Sequence, residues 1–194
     1  MGTDRLRSVA WLVVAVSLAA GLTGTVAEAH PRGFHKRVRV VVKPDVVEVL
    51  VTLDVDSGRR AALLRSNADS NHDGVLQEKE LARLKSELVT LARRPLQLSI
   101  SGFVLRADPV DSKLSLRGDP RTGSEGLSVA VLLETKLPQQ LFAGMELEVL
   151  DEAPDRSHVK VEAEQVLAGG AAGPWAEKDL KPGDRLQLRL RNPM

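Results

Sequence analysis

The sequence predicts an α+β protein in which an antiparallel β-sandwich or partial barrel carries an inserted helix–loop–helix. Most of the chain consists of short β-branched or alternating segments separated by turn residues, which is typical of antiparallel β folds. Between about residues 57 and 94 the apolar spacing changes to three or four residues, which predicts helices. A polar loop with a central glycine separates these two helical stretches.

The β-rich part begins with a predicted hairpin. Residues 37–43 are rich in valine, Pro44 and Asp45 form a turn, and residues 46–55 alternate between apolar and other side chains. Such alternation indicates a strand with one buried face. The residues expected on that face are Val47, Val49, Val51, Leu53 and Val55.

Two helices are predicted to follow the hairpin. Ser57 is a plausible N-cap for a first helix that runs to about Asn67, because its hydroxyl can accept a hydrogen bond from a free backbone N–H. The second helix is expected to stop before Pro95. Its apolar face is indicated by Leu81, Leu84, Leu88 and Leu91.

The chain is predicted to return to strands after Pro95. Residues 168–174 are rich in glycine and alanine and are expected to be a flexible connection. Trp175, the only tryptophan beyond residue 29, follows them and is expected to pin this loop to the core. The predicted later strands are residues 96–100, 103–106, 111–117, 127–137, 145–150, 159–166 and 185–191.

The loop between the two helices carries the strongest motif in the chain. From Asp69 to Glu80 it matches the pattern D-x-[DN]-x-[DN]-G-x5-E without a gap. Calcium prefers six to eight oxygen ligands, and oxygens at alternate positions of a tight loop can all face one ion. The predicted ligands are the side chains of Asp69, Asn71, Asp73 and Glu80, the Val75 carbonyl, and Gln77 directly or through a water.

This segment resembles the calcium loop of an EF-hand, and the resemblance extends over the flanking helices. It implies Ca²⁺ as the bound ion. It also implies that Leu76 turns away from the ion into the protein and packs against a strand, a neighbouring loop or a second copy of the protein. EF-hands commonly occur in pairs, but no second loop is predicted here. Asp151 and Glu162 have the outer spacing, yet Arg156 stands where glycine is required, so this stretch is predicted to be a hairpin loop.

The first 29 residues have the pattern of a secretory signal peptide. Arg5 and Arg7 precede an apolar run over residues 9–22, and small residues stand at Ala27 and Ala29. An uncleaved N-terminal anchor is the alternative. We therefore expect an exported protein, periplasmic or secreted, whose residues 30–194 form a single β-rich domain. No later stretch is apolar for long enough to span a bilayer.

Composition narrows the classes of function. A formal net charge of +1 argues against nucleic acid as a partner, and an aromatic content of 3% argues against stacked-ring binding surfaces. The chain has no cysteine, and it contains no G-x-S-x-G, H-E-x-x-H or phosphate-binding glycine loop. The sequence therefore predicts a protein that is not an enzyme.

The sequence thus favours an exported calcium-binding protein in which the ion is a structural clamp. One alternative is a module whose calcium orders a surface for a protein partner or a homodimer. Another is copper binding by an N-terminal His30 after cleavage. The export signal, hairpin and helix–loop–helix are also similar to the soluble domain of bacterial transport-associated proteins of the hydrogenase/urease-accessory type, a resemblance that implies no substrate.

Overall fold

The computed structural model describes residues 33–94, 96–137, 143–151 and 159–192. Within these ranges the chain forms ten strands and two α-helices. The helices, α1 (Arg59–Ala68) and α2 (Glu78–Arg93), lie between the second and third strands. The strands are β1 (Phe34–Val42), β2 (Val46–Val55), β3 (Leu96–Ile100), β4 (Phe103–Leu105), β5 (Asp108–Leu116), β6 (Leu127–Lys136), β7 (Glu146–Asp151), β8 (Val159–Val166), β9 (Ala172–Leu180) and β10 (Arg185–Arg189).

The described strands form two open sheets, so the predicted α+β class is confirmed. The larger sheet has the order β5-β6-β2-β1-β8-β9, and the smaller one has the order β10-β7-β3-β4. The expectation of purely antiparallel pairing is wrong at one place, because β1 and β8 run parallel, with Val38 opposite Val161. Parallel neighbours need a long crossover connection, and here the connection contains both helices and strands β2 to β7.

The first hairpin has the predicted form. β1 and β2 pair antiparallel in continuous register, from Phe34 opposite Val55 to Val42 opposite Val47. Every second residue of β2 is buried, as the alternation predicts. The buried residues of β2 are Val47, Val49, Val51, Leu53 and Val55.

The two helices form where the apolar spacing places them. In α2, Leu84 and Leu88 are fully buried, and the helix packs against β2 and β6. The cap of α1 differs from the prediction, because its N-cap is Gly58, without a side-chain cap bond. The Ser57 hydroxyl instead accepts a hydrogen bond from the Gly126 N–H at 2.9 Å. Pro95, expected to end α2, lies outside the described residues.

The prediction that residues 168–174 form a flexible connection is wrong. Ala168–Gly170 forms a short 3-10 turn, and β9 begins directly afterwards and pairs antiparallel with β8. The side chain of Trp175 stands on this edge strand and is 60% exposed, so it does not pin a loop to the core. The sequence of β9 has no alternation, and its strand conformation depends on the neighbouring strand rather than on its own residues.

Both sheets and α2 contribute to one hydrophobic cluster of buried side chains. An ion pair links the sheets, because Lys36 of β1 donates to Asp151 of β7 and both side chains are almost completely buried. Burial lowers the pKa of Lys36 and raises the pKa of Asp151, and the attraction between the partners opposes both shifts. The pair therefore carries a desolvation cost that its own attraction offsets only in part.

Membrane spanning can be assessed only for the described helices, and neither is both long and apolar enough to cross a bilayer. The predicted signal peptide, residues 1–29, lies outside the described part of the chain.

Candidate metal centre

The predicted ligands all lie between the end of α1 and the first turn of α2. Asp69 follows the last residue of α1, and its N–H donates to the Arg65 carbonyl at 3.1 Å as the C-cap of that helix. Glu80 is the third residue of α2. The two helices therefore fix the first and last residues of the loop, which leaves the ten residues between them to fold around a common centre.

Asp69 has one carboxylate oxygen without a partner. Its side chain is 5% exposed, and Oδ2 accepts a hydrogen bond from the Gly74 N–H at 3.0 Å. Oδ1 is buried, and no donor within the described residues reaches it. A buried carboxylate oxygen without a donor is costly, so a cation at this position would satisfy it.

The turn of the loop depends on left-handed backbone at two residues. Gly74 has φ +80°, a conformation that glycine adopts without steric cost. His72 has φ +58°, and its side chain is exposed. The chain thereby reverses direction in the middle of the loop, where the motif requires glycine.

Asn71 and Asp73 hold each other in place. The Asn71 Nδ2 donates to Asp73 Oδ2 at 3.0 Å, and the Asp73 N–H donates to Asn71 Oδ1 at the same distance. Asp73 Oδ1 also accepts from the Val75 N–H at 2.8 Å. Both side chains belong to exposed residues, so water or an ion can reach their oxygens.

Gln77 acts mainly as the cap of α2. Its side chain accepts from the backbone N–H of Glu80, while Glu80 accepts from the Gln77 N–H, a reciprocal capping box. The Gln77 Nε2 also donates to Asp73 Oδ2 at 3.1 Å. Because its oxygen serves the helix, coordination through a bridging water is easier for Gln77 than direct coordination.

Glu80 is the most heavily bonded carboxylate of the loop. Its Oε1 accepts from the Ser70 N–H and hydroxyl, both at 2.8 Å, and from the Asn71 N–H at 3.4 Å. Its Oε2 accepts from the Gln77 N–H at 3.0 Å. The Gln77 hydrogen bond, followed by that from the Ser70 hydroxyl, lowers the pKa of Glu80 and so favours its charged form.

These hydrogen bonds limit how far the loop is already shaped for an ion. Among the described residues, no group of three or more His, Cys, Asp or Glu side chains is placed to hold a metal. The oxygen ligands of the loop are of the type that calcium prefers, and a cation would satisfy the unpaired Asp69 oxygen. To bind the ion, Glu80 would have to give up hydrogen bonds from backbone N–H groups. Amide and carbonyl oxygens of Asn71 and Val75 would complete the ligand set.

A second loop, residues 117–126, pairs with the metal loop and is called the cross-loop below. The Leu76 N–H donates to the Pro120 carbonyl at 2.7 Å, and the Thr122 N–H donates to the Gly74 carbonyl at 3.0 Å. Val75 and Arg121 form an isolated antiparallel bridge between the two loops. Leu76 is 2% exposed, so it finds its partners within this chain.

Arg65 attaches the cross-loop to α1. Its side chain is fully buried, and its two terminal nitrogens donate hydrogen bonds to four backbone carbonyls of the cross-loop. The distances are 2.9 Å to Asp119, Arg121 and Arg117 and 3.2 Å to Gly126. Arg65 was not predicted from the sequence, although its position between Ala61 and Ala68 on the buried face of α1 is a usable signal.

The remaining candidates do not form a second centre among the described residues. Asp151 is committed to the pair with Lys36, and Glu162 lies in β8. His35 contacts Asp56, with 2.7 Å between Nε2 and Oδ2. His30, on which copper binding depends, lies outside the described part of the chain.

No protein family model matches the chain, and no curated protein matches it.

Proposed function

We propose that this chain is an exported, non-enzymatic calcium-binding protein and that the segment from Asp69 to Glu80 is an EF-hand loop. The observation that carries the proposal is the buried Oδ1 of Asp69, which lacks a donor among the described residues at the first position of the motif. Calcium bound at this oxygen would remove the cost of burying it unpaired.

The chain offers an oxygen-only ligand set, which suits a hard cation. Asp69, Asn71, Asp73 and Glu80 would hold the ion with the Val75 carbonyl, and Gln77 would reach it through a water. The ion would supply positive charge to three carboxylates whose hydrogen-bond donors within the described residues are neutral N–H, amide and hydroxyl groups. Since Glu80 must give up hydrogen bonds to Ser70 and Asn71, we expect a moderate dissociation constant, roughly 10⁻⁶ to 10⁻⁴ M.

We propose that the role of the ion is structural. In a paired EF-hand the second hand stabilises the first, and here the cross-loop takes that place through main-chain hydrogen bonds to Gly74 and Leu76. Because Leu76 is buried within its own chain, the loop needs no outside partner to cover it. This arrangement favours a structural clamp, in which the ion joins α1, α2 and the cross-loop. It argues against a module whose calcium loop docks a partner protein.

We also infer that the two sheets face each other as a sandwich with the helix–loop–helix inserted after the first hairpin. Two observations support this arrangement. The buried side chains of both sheets belong to one cluster, and Lys36 and Asp151 bridge from one sheet to the other within it.

Calcium titration by calorimetry tests the site. We expect stoichiometric binding by the wild-type protein and at least about tenfold weaker binding by Glu80→Gln, which loses one charged ligand. Glu78→Gln is the matched control, because Glu78 is an exposed residue in the same helical turn and carries the same charge. Equal binding by the wild type and Glu80→Gln, or no binding by either, would contradict the proposal.

Thermal unfolding in calcium and in chelator tests the clamp. At a calcium concentration about 100 times the dissociation constant, bound ion stabilises the folded state by roughly 2.7 kcal/mol. A clamp raises the melting temperature without changing the mass in light scattering. Calcium-dependent dimerisation in light scattering would instead support the docking module, and equal melting temperatures in calcium and in chelator would contradict the clamp.

A further inference from the structure

A cavity of about 500 Å³ lies at the C-terminal end of α2, where the chain passes from β4 to β5. Its floor includes Leu98, Leu105 and Leu133, which come from β3, β4 and β6 and are at most 8% exposed. These strands belong to both sheets, so the cavity opens directly onto the hydrophobic core. An apolar group placed here would contact buried aliphatic side chains rather than a polar surface.

The rim of this cavity is positively charged. Arg93, Arg94 and Arg106 line it, and the carboxylate of Asp108 is the one acidic side chain among its described lining residues. Three guanidinium groups against one carboxylate leave an excess of two positive charges. The described residues include no carboxylate within ion-pair distance of these three arginines.

One of the arginines is held in position by the backbone. The Arg93 Nη2 donates to the Ala107 carbonyl at 3.3 Å, which ties the end of α2 to the segment between β4 and β5. Arg94 and Arg106 are exposed. The rim therefore combines one anchored guanidinium with two whose donors are open to an incoming anion.

We propose that this cavity binds a small organic anion that carries an apolar chain, with a medium-chain carboxylate as the representative ligand. Its volume lies within the range of about 300–1,000 Å³ that is usual for small-molecule sites. The guanidinium group matches a carboxylate with two parallel N–H···O bonds, so the rim selects charge. The leucine floor selects the chain, because it buries methylene groups away from water.

This site is separate from the metal loop. Glu80 lies in the first turn of α2 and Arg93 is its last residue, which at about 1.5 Å per residue places them roughly 20 Å apart. Failure of the calcium proposal would therefore leave this one standing, and the reverse also holds.

Calorimetric titration of the purified protein with octanoate tests the proposal. We expect octanoate to bind more tightly than octanamide, which has the same chain without the charge. In the series from butanoate to octanoate, affinity should rise by about fourfold for each methylene that enters the cavity. Arg94→Gln and Arg106→Gln should each weaken octanoate binding by about tenfold, because each removes a charged donor.

Arg83→Gln is the matched control, because Arg83 is an exposed residue of the same helix and does not line the cavity. It removes the same charge and should leave octanoate binding unchanged. An affinity that is independent of chain length would show an ion site without a pocket for the chain. Equal binding of octanamide, equal loss in Arg83→Gln, or no octanoate binding would likewise overturn the proposal.

Discussion

Two regions of this protein bury a positive charge, and they compensate for it in different ways. Next to the metal loop, Arg65 is surrounded by neutral carbonyls of the cross-loop and donates to four of them. Between the sheets, Lys36 has a single carboxylate partner, Asp151. The second carboxylate oxygen, Asp151 Oδ1, has no hydrogen-bond donor among the described residues.

The difference shows what each region requires of its sequence. The two terminal nitrogens of Arg65 fix the path of a whole loop, whereas its buried Nε has no acceptor among the described residues. That position therefore demands the planar fork of arginine. The Lys36–Asp151 pair joins two strands whose neighbours are apolar, so its place in the core can be taken by apolar side chains of similar volume. The stability of the Arg65 region depends on hydrogen-bond geometry, whereas that of the Lys36–Asp151 region depends on burial.

Replacing Arg65 by methionine should produce the largest loss of stability. Methionine fills similar space but leaves the carbonyls of Arg117 and Arg121 without these donors, and it frees the cross-loop from α1. Since each unsatisfied buried acceptor costs about 1–3 kcal/mol, we expect a decrease of roughly 4 kcal/mol in the free energy of unfolding. Urea denaturation measures this decrease.

Arg83→Met is the control for Arg65→Met, because it makes the same exchange at an exposed position of α2. It should change the free energy of unfolding by no more than about 0.5 kcal/mol. A loss below about 1 kcal/mol in Arg65→Met would mean that the four hydrogen bonds contribute little net stability. The contrast between the two buried cations would then fail.

Lys36→Met should cost somewhat less, about 3 kcal/mol, because it leaves a buried carboxylate without its cation. Asp151 can limit this loss by taking up a proton, in the direction in which burial already moves its pKa. The double variant Lys36→Met with Asp151→Leu should regain most of the loss, because two apolar side chains then fill the same space. Denaturation of the wild type, Lys36→Met, Asp151→Leu and the double variant gives the coupling energy of the pair.

The double variant decides whether the core region depends on burial alone. A double variant as unstable as Lys36→Met would show that the ion pair is needed for a specific arrangement of the two sheets. Recovery of stability would support the contrast with Arg65, for which no apolar replacement can satisfy the carbonyls of the cross-loop.

The limits of sequence-based prediction follow the same contrast. The alternation in β2 and the leucine spacing in α2 report burial, and the structure has both elements where these patterns place them. Local motifs report backbone shape, as the left-handed Gly74 illustrates. Contacts between distant segments leave no such periodic signal. The sequence therefore did not predict the parallel pairing of β1 with β8, the pairing of the cross-loop with the metal loop, or strand β9.

The mildest test compares the carboxylates of the two regions, which have opposite pKa shifts. Burial raises the pKa of Asp151, whereas N–H and hydroxyl donors lower that of Glu80. The charged Glu80 side chain therefore stabilises the fold at pH values above its ordinary pKa of 4.5, and this contribution is lost as the pH falls through its lower folded-state pKa.

In chelator, Glu80→Gln should be less stable than the wild type at pH 7, and the difference in stability should shrink with acidification. Urea midpoints of both proteins between pH 7 and 3, with Glu78→Gln as the exposed control, measure this effect. A difference that is constant across this range would mean that the loop donors recognise the shape of the Glu80 side chain rather than its charge.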